Sequence, residues 1–184
     1  MYFKKQNLLF LFLLPNFWVH AQKKVKHNPL IFPIPTPTAN RLFYIQRSNN
    51  ANTVIYDANL LKNNTLNAKE PVHAYWIRYA EGGKIEELST IQRTLAYGLH
   101  TSKMKNGTES YEGHFFAYRK RKFIVKLDAE KKPVAYFQIN GKMQILDHAW
   151  VQVEEAGLTP KIPYIELFGH DAKTGALVYE KFVP

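Results

Sequence analysis

From Arg41 onward, apolar and polar residues alternate with a period close to two. Arg41 to Arg47 (RLFYIQR) and Thr53 to Asp57 (TVIYD) read as strands on either side of Ser48 to Asn52, whose asparagines tolerate the left-handed backbone of a hairpin loop. Pro71 to Tyr79 (PVHAYWIRY) reads as a third strand. After Gly82-Gly83 the period changes. Ile85, Leu88, Ile91, Leu95 and Leu99 fall three or four apart, the stripe of an amphipathic helix ended by Gly98, with Ser89-Thr90 as the place where it would split. Period two then returns in Tyr111 to Tyr118, Lys122 to Asp128, Pro133 to Ile139, Lys142 to Glu154, Ile162 to His170 and Ala176 to Val183.

Asn140-Gly141 sets one register, because Asn-Gly between alternating runs favours a two-residue hairpin loop. Ile139 then faces Lys142. One face carries Val134, Tyr136, Met143, Ile145, Ala149, Val151 and Val153, and the other Ala135, Phe137, Leu146, His148 and Trp150. Both faces are partly apolar, so the sheet needs cover on both sides. The expected fold is mainly β, a β-rich α+β arrangement: a curved antiparallel sandwich or partly closed barrel with one packed amphipathic helix. The same register puts Asp147 on an apolar face. A lone inward carboxylate is expensive, so Asp147-His148 marks either a bend in the strand or an acid-base group, and the bend is the better reading.

The N-terminus changes the picture of where the domain starts. Lys4 and Lys5, then Leu8 to Leu14 (LLFLFLL), then Val19-His20-Ala21 have the three parts of a cleaved signal peptide over residues 1–21. The apolar run is shorter than the roughly 20 residues a membrane span needs, so no transmembrane segment is expected after cleavage. Residues 22–39 hold Lys23, Lys24 and Lys26, then Pro29, Pro33, Pro35 and Pro37, an extended basic arm that cannot join the interior of a sheet. Residues 40–184 are expected to form a single β-rich domain. An exported location, periplasmic or secreted, follows from this reading.

Charge narrows the partners. The chain has 25 Lys and Arg against 15 Asp and Glu, a formal +10, which becomes +8 once Lys4 and Lys5 are lost. The partners expected of an exported basic protein are an anionic envelope polymer, a lipid or a small molecule; nucleic acid is not expected. The densest run, Arg119-Lys120-Arg121-Lys122, reads as a solvated strand turn.

Candidate chemistry is sparse. With no cysteine, a thiol enzyme and a Cys-ligated metal module are excluded. His73, His114, His148 and His170 lie in or at the ends of strands but show no metal-ligand spacing, and no cofactor is expected. No serine sits in G-x-S-x-G, and no Walker or dinucleotide motif occurs. A hydrolase or metal-dependent enzyme acting on envelope polymers would draw on His114, His148, His170, Asp147 and Glu166. The preferred reading is a non-enzymatic binding module with an aromatic groove for a small apolar or sugar-like ligand, centred on Trp76 and Trp150, with Tyr136, His148, His170 and Asp147 as further candidates.

The blocks NRLFYIQRSNNANTVIYDAN (Asn40 to Asn59), PVHAYWIRYAEGG (Pro71 to Gly83), LAYG (Leu95 to Gly98) and YIELFGHDAKTGALVYEKF (Tyr164 to Phe182) resemble domain of unknown function forty-eight thirty-three, an uncharacterised bacterial family. The resemblance covers nearly all of the chain after the signal. It implies an exported single-domain envelope protein and brings no activity or site residues with it.

Overall fold

The computed structural model describes residues 32–105, 109–155 and 160–184. Among the described residues eleven strands and one short α-helix succeed one another: β1 (Arg41–Arg47), β2 (Asn50–Ala58), β3 (Val72–Arg78), β4 (Lys84–Glu87), α1 (Thr90–Leu95), β5 (Leu99–Lys103), β6 (Ser110–Phe115), β7 (Lys122–Leu127), β8 (Pro133–Ile139), β9 (Lys142–Val151), β10 (Ile165–His170) and β11 (Leu177–Phe182). Nine of them form one curled sheet in the order β4-β3-β2-β1-β9-β8-β7-β6-β5, a half-barrel; β10 pairs with β9, and β11 with β10. The expected mainly β fold is therefore present. The expected signal peptide, residues 1–21, and the first part of the expected proline arm lie outside the described residues.

The strand β9 is the hinge of this arrangement. Its Ile145 pairs with Tyr136 of β8 and with His170 of β10, whereas three residues on His148 pairs with Tyr44 of β1 and Phe168 of β10. Thus β8 and β1 follow one another along one edge of β9 while β10 keeps the other. Two wings, β1 to β4 and β5 to β8, diverge from that edge and face each other. Their inward rings fill the space between: Phe43 stacks on Tyr56 at 4.5 Å and meets Phe137 edge-on at 5.2 Å, while Tyr56 meets Phe115 at 5.6 Å. Burying such rings is the main favourable term in a fold of this kind.

The Asn140-Gly141 hairpin forms as the sequence predicts, with Ile139 opposite Lys142. Both loop residues have positive φ, as a two-residue loop of this type requires. Four other expectations are corrected. The β1 and β9 strands pair in parallel, because no turn joins these distant segments and closure of the wings sets their direction. The first hairpin loop is only Ser48-Asn49, since Arg47 pairs with Asn50 and Asn50 to Asn52 belong to β2. The expected long helix is divided: Lys84–Glu87 adds to the sheet edge, and α1 begins afresh where Ser89 and Gln92 form a reciprocal capping box. Of the helical stripe, Leu88 is buried, but Ile91 and Leu95 are exposed.

The fourth correction concerns β9. Leu146 pairs with Gly169 and His148 with Phe168, so Asp147 is an extra residue, a β-bulge. From there on the alternation is shifted by one. Leu146 and Ala149 both point into the core, while His148 and Trp150 leave the face they were expected to share with Phe137. The bend read from Asp147-His148 is thus present, and Asp147 does not sit on the apolar face. The bulge presses Gly169 against β9, where an added Cβ would fall 2.0 Å from the Ile145 carbonyl oxygen, so only glycine fits.

The proline arm covers part of the outer face. Phe32 packs edge-on against Trp150 at 4.6 Å, the Pro33 carbonyl accepts a 2.8 Å hydrogen bond from Gln46 Nε2, and Pro35 is buried. The buried Gln46 and Thr53 lie beneath it. Two-sided cover, deduced from the apolar character of both faces, comes from the arm outside and the opposing wing inside.

Candidate functional site

The half-barrel closes on itself incompletely, and the gap left inside is a cavity of about 520 Å³. One row of inward side chains crosses its floor: Ile45 of β1 pairs with Ala149 of β9, which pairs with Leu167 of β10. Leu146, Val151 and Ile165 extend the floor, and Tyr97, Phe115, Phe137 and Phe182 bring rings to the walls. The bulge at Asp147 makes this floor, since without the shift Ala149 and Val151 would point outward. A volume of this size is within the about 300–1,000 Å³ of small-molecule sites, which are mostly apolar with a few placed polar groups.

Two arginines line the cavity, in contrasting states. Arg121 is matched: both of its terminal nitrogens lie 2.8 Å from the Glu180 carboxylate, and the guanidinium sits over the Phe182 ring at 4.2 Å. The pair keeps the Glu180 carboxyl below its usual range and raises Arg121, chiefly through these hydrogen bonds. The expectation of a simply solvated turn is corrected at this residue: Arg121 is largely buried because Glu180 on β11 reaches across to it, while its neighbour Lys122 pairs with Glu112.

Arg47 has no carboxylate partner among the described residues. It donates through Nη1 to the Tyr97 hydroxyl and through Nη2 to Asn50 Oδ1, and its Nε is buried with no acceptor. Its guanidinium lies over the Trp76 ring at 4.9 Å and the Tyr97 ring at 5.3 Å. Trp76 is held in turn by its Nε1, which donates to Gln92 Oε1 at 3.2 Å, so the capping box of α1 supports the arginine through the indole. A buried donor without an acceptor costs about 1–3 kcal/mol, a price retained here at the wall of an apolar cavity.

The residues singled out from the sequence fall in three places. Trp76 is 1 % exposed and supports Arg47 from behind. Trp150 is on the opposite face under Phe32, so the two tryptophans do not share a groove. His148, His170, Asp147 and Tyr136 are on the outer face. There His148 is stacked between Tyr44 at 5.0 Å and Phe168 at 4.5 Å, and Phe168 meets Tyr179, a ladder of rings across four strands. His170 Nδ1 lies 3.0 Å from Asp147, and Tyr136 faces Lys126. Burial lowers the His148 pKa below its ordinary value. The unfolded chain then takes up the proton first, so the contribution of this ring is full above about pH 6.5 and declines as pH falls through that range.

The residues considered for an enzyme are dispersed. His73 pairs with Glu87, His114 lies beside His100, and Glu166 accepts from Tyr179. Among the described residues no three His, Asp or Glu side chains stand together as metal ligands would. Asp171 accepts from the backbone of Thr174 and Lys173, which lowers its carboxyl to about 2 and starts the turn there. Arg47, Tyr97 and Arg121 were not chosen from the sequence as site residues. The signals for the two arginines were a strand-end position for Arg47 and membership of a basic run for Arg121.

A curled β half-barrel with an apolar cavity on its concave side, one matched arginine and one unmatched, defines the class of protein. The chain belongs to the family Domain of unknown function (DUF4833), whose model matches residues 43–181. Comparison with curated proteins and with solved structures gives no match. The matched span contains β2 to β10 and most of β1 and β11, and with them nearly all of the cavity floor and both arginines.

Proposed function

We propose that this domain is a binding module that takes a small, largely apolar molecule into the concave cavity. The observation that carries the reading is the composition of the cavity: aliphatic and aromatic side chains from six strands (β1, β6, β8, β9, β10 and β11) converge on it, and no His, Asp, Glu or Ser is among its described lining residues. Such walls bury apolar surface well. They favour an apolar ligand over a sugar, whose hydroxyl groups would need more partners than Arg47, Asn49, Tyr97, Tyr118 and Arg121 supply.

The test is a series of straight-chain alcohols titrated by calorimetry. Each buried methylene contributes about 0.8 kcal/mol, so from hexanol to octanol to decanol the Kd should tighten roughly fifteenfold per step until the cavity is full. An affinity independent of chain length would contradict the reading.

We also infer export. Lys4-Lys5, the Leu8 to Leu14 run and Ala21 support it, and an extracytoplasmic binding module would meet lipids and their breakdown products. N-terminal sequencing of the chain recovered outside the cytoplasm should begin at Gln22; retention of residues 1–21 would oppose it.

A further inference from the structure

Resting on the apolar-cavity reading, we infer that the natural ligand is a single-chain aliphatic carboxylic acid, whose carboxylate is bound by Arg47 while its tail lies along Ile45, Leu146, Ala149 and Leu167. The argument is one of charge. Both cavity arginines are cations in an apolar surround, but Arg121 already has the Glu180 carboxylate on two bonds, and Arg47 has none among the described residues. Arginine carries five N–H donors in a planar fork. At Arg47 two of its nitrogens reach a phenol and an amide, both neutral, and the buried Nε hydrogen has no acceptor among the described residues.

The molecule itself shows what such a group takes: at Arg121 a carboxylate fills the same role. A carboxylate ligand would complete at Arg47 the pairing that Glu180 completes at Arg121. A neutral ligand would leave the positive charge uncompensated. A cationic ligand would add to it. The stacking of the guanidinium on Trp76 and Tyr97 fixes its plane, so the donors are oriented before the ligand arrives.

The experiment measures Kd for decanoate, decanol and decyltrimethylammonium on the wild-type chain, Arg47→Met and Arg47→Lys. Wild type should bind decanoate more tightly than decanol and should not bind the cation. Arg47→Met should weaken decanoate roughly thirtyfold and leave decanol within about threefold, the loss of one charge-assisted interaction. Arg47→Lys should keep part of the preference for the acid, because the charge remains and the fork is lost.

Equal loss of acid and alcohol, or an unchanged affinity for decanoate in Arg47→Met, overturns the assignment of the head group while the apolar cavity stands. Failure of wild type to bind either decanol or decanoate overturns the cavity reading itself. If Arg47→Met does not fold, the wild-type comparison decides: decyltrimethylammonium competing as well as decanoate overturns the proposal, and its exclusion supports it.

Discussion

Phe43→Ala is expected to destabilise the domain by about 4 kcal/mol, since truncating a fully buried phenylalanine typically costs about 3–5 kcal/mol. Phe43 is 0 % exposed and touches Tyr56, Phe115 and Phe137, rings that belong to both wings of the half-barrel. Its loss leaves a void where the wings meet, at a place where neither wing can collapse without dragging its strands from β9. For a domain of this size a loss of that order lowers Tm by roughly 8–16 °C. Thermal unfolding followed by near-ultraviolet circular dichroism reads it directly. A loss below about 1 kcal/mol would mean that the wings are held by their hydrogen-bonded edges on β9 rather than by the rings between them.

Ala149→Trp should weaken ligand binding about a hundredfold with a smaller effect on the fold. Ala149 lies on the floor between Ile45 and Leu167, and an indole there takes the space a ligand tail would fill. Excluding about four methylenes from the cavity removes about 3 kcal/mol, so decanol should bind roughly a hundredfold more weakly. Ala149 is a buried core residue that borders the cavity, so the added ring extends into that space and stability should fall by about 1–3 kcal/mol, as is typical of overpacking. Tyr44→Ala on the outer ladder is the control and should leave decanol binding unchanged. If Tyr44→Ala weakens binding and Ala149→Trp does not, the ligand sits on the outer face.

Much of the fold was legible because β-strand signals are local. The alternation in Pro133 to Ile139 and the Asn140-Gly141 loop fix a register without reference to the rest of the chain, and the structure has it. The helix at Ser89 was half legible. Spacing by three and four ran through Ile85 to Leu99, but the strand at Lys84–Glu87 obtains its hydrogen bonds from β3, a partner that periodicity does not contain.

The candidate site was less legible, for one main physical reason. A bulge inserts a single residue, and with a period of two that exchanges the faces of everything beyond it. Asp147 was recognised as a bend, but His148 and Trp150 were still assigned to the face that Leu146 occupies. Carrying the shift through would have turned Ala149 and Val151 inward and emptied the supposed tryptophan groove. The arginines posed a different difficulty. What sets Arg121 apart from Arg47 in charge is the carboxylate of Glu180, which is 59 residues from it along the chain. No local pattern distinguishes a matched arginine from an unmatched one.

The most direct measurement is a titration of the wild-type chain with decanol, followed by the methyl resonances of its Ile, Leu, Val and Ala residues. Saturable shifts at Ile45, Leu146, Ala149, Val151 and Leu167, with those of the outer face unmoved, are the expected result. Shifts confined to residues around Tyr44, His148 and Phe168, or no saturable shift at any methyl, would contradict a ligand site inside the half-barrel.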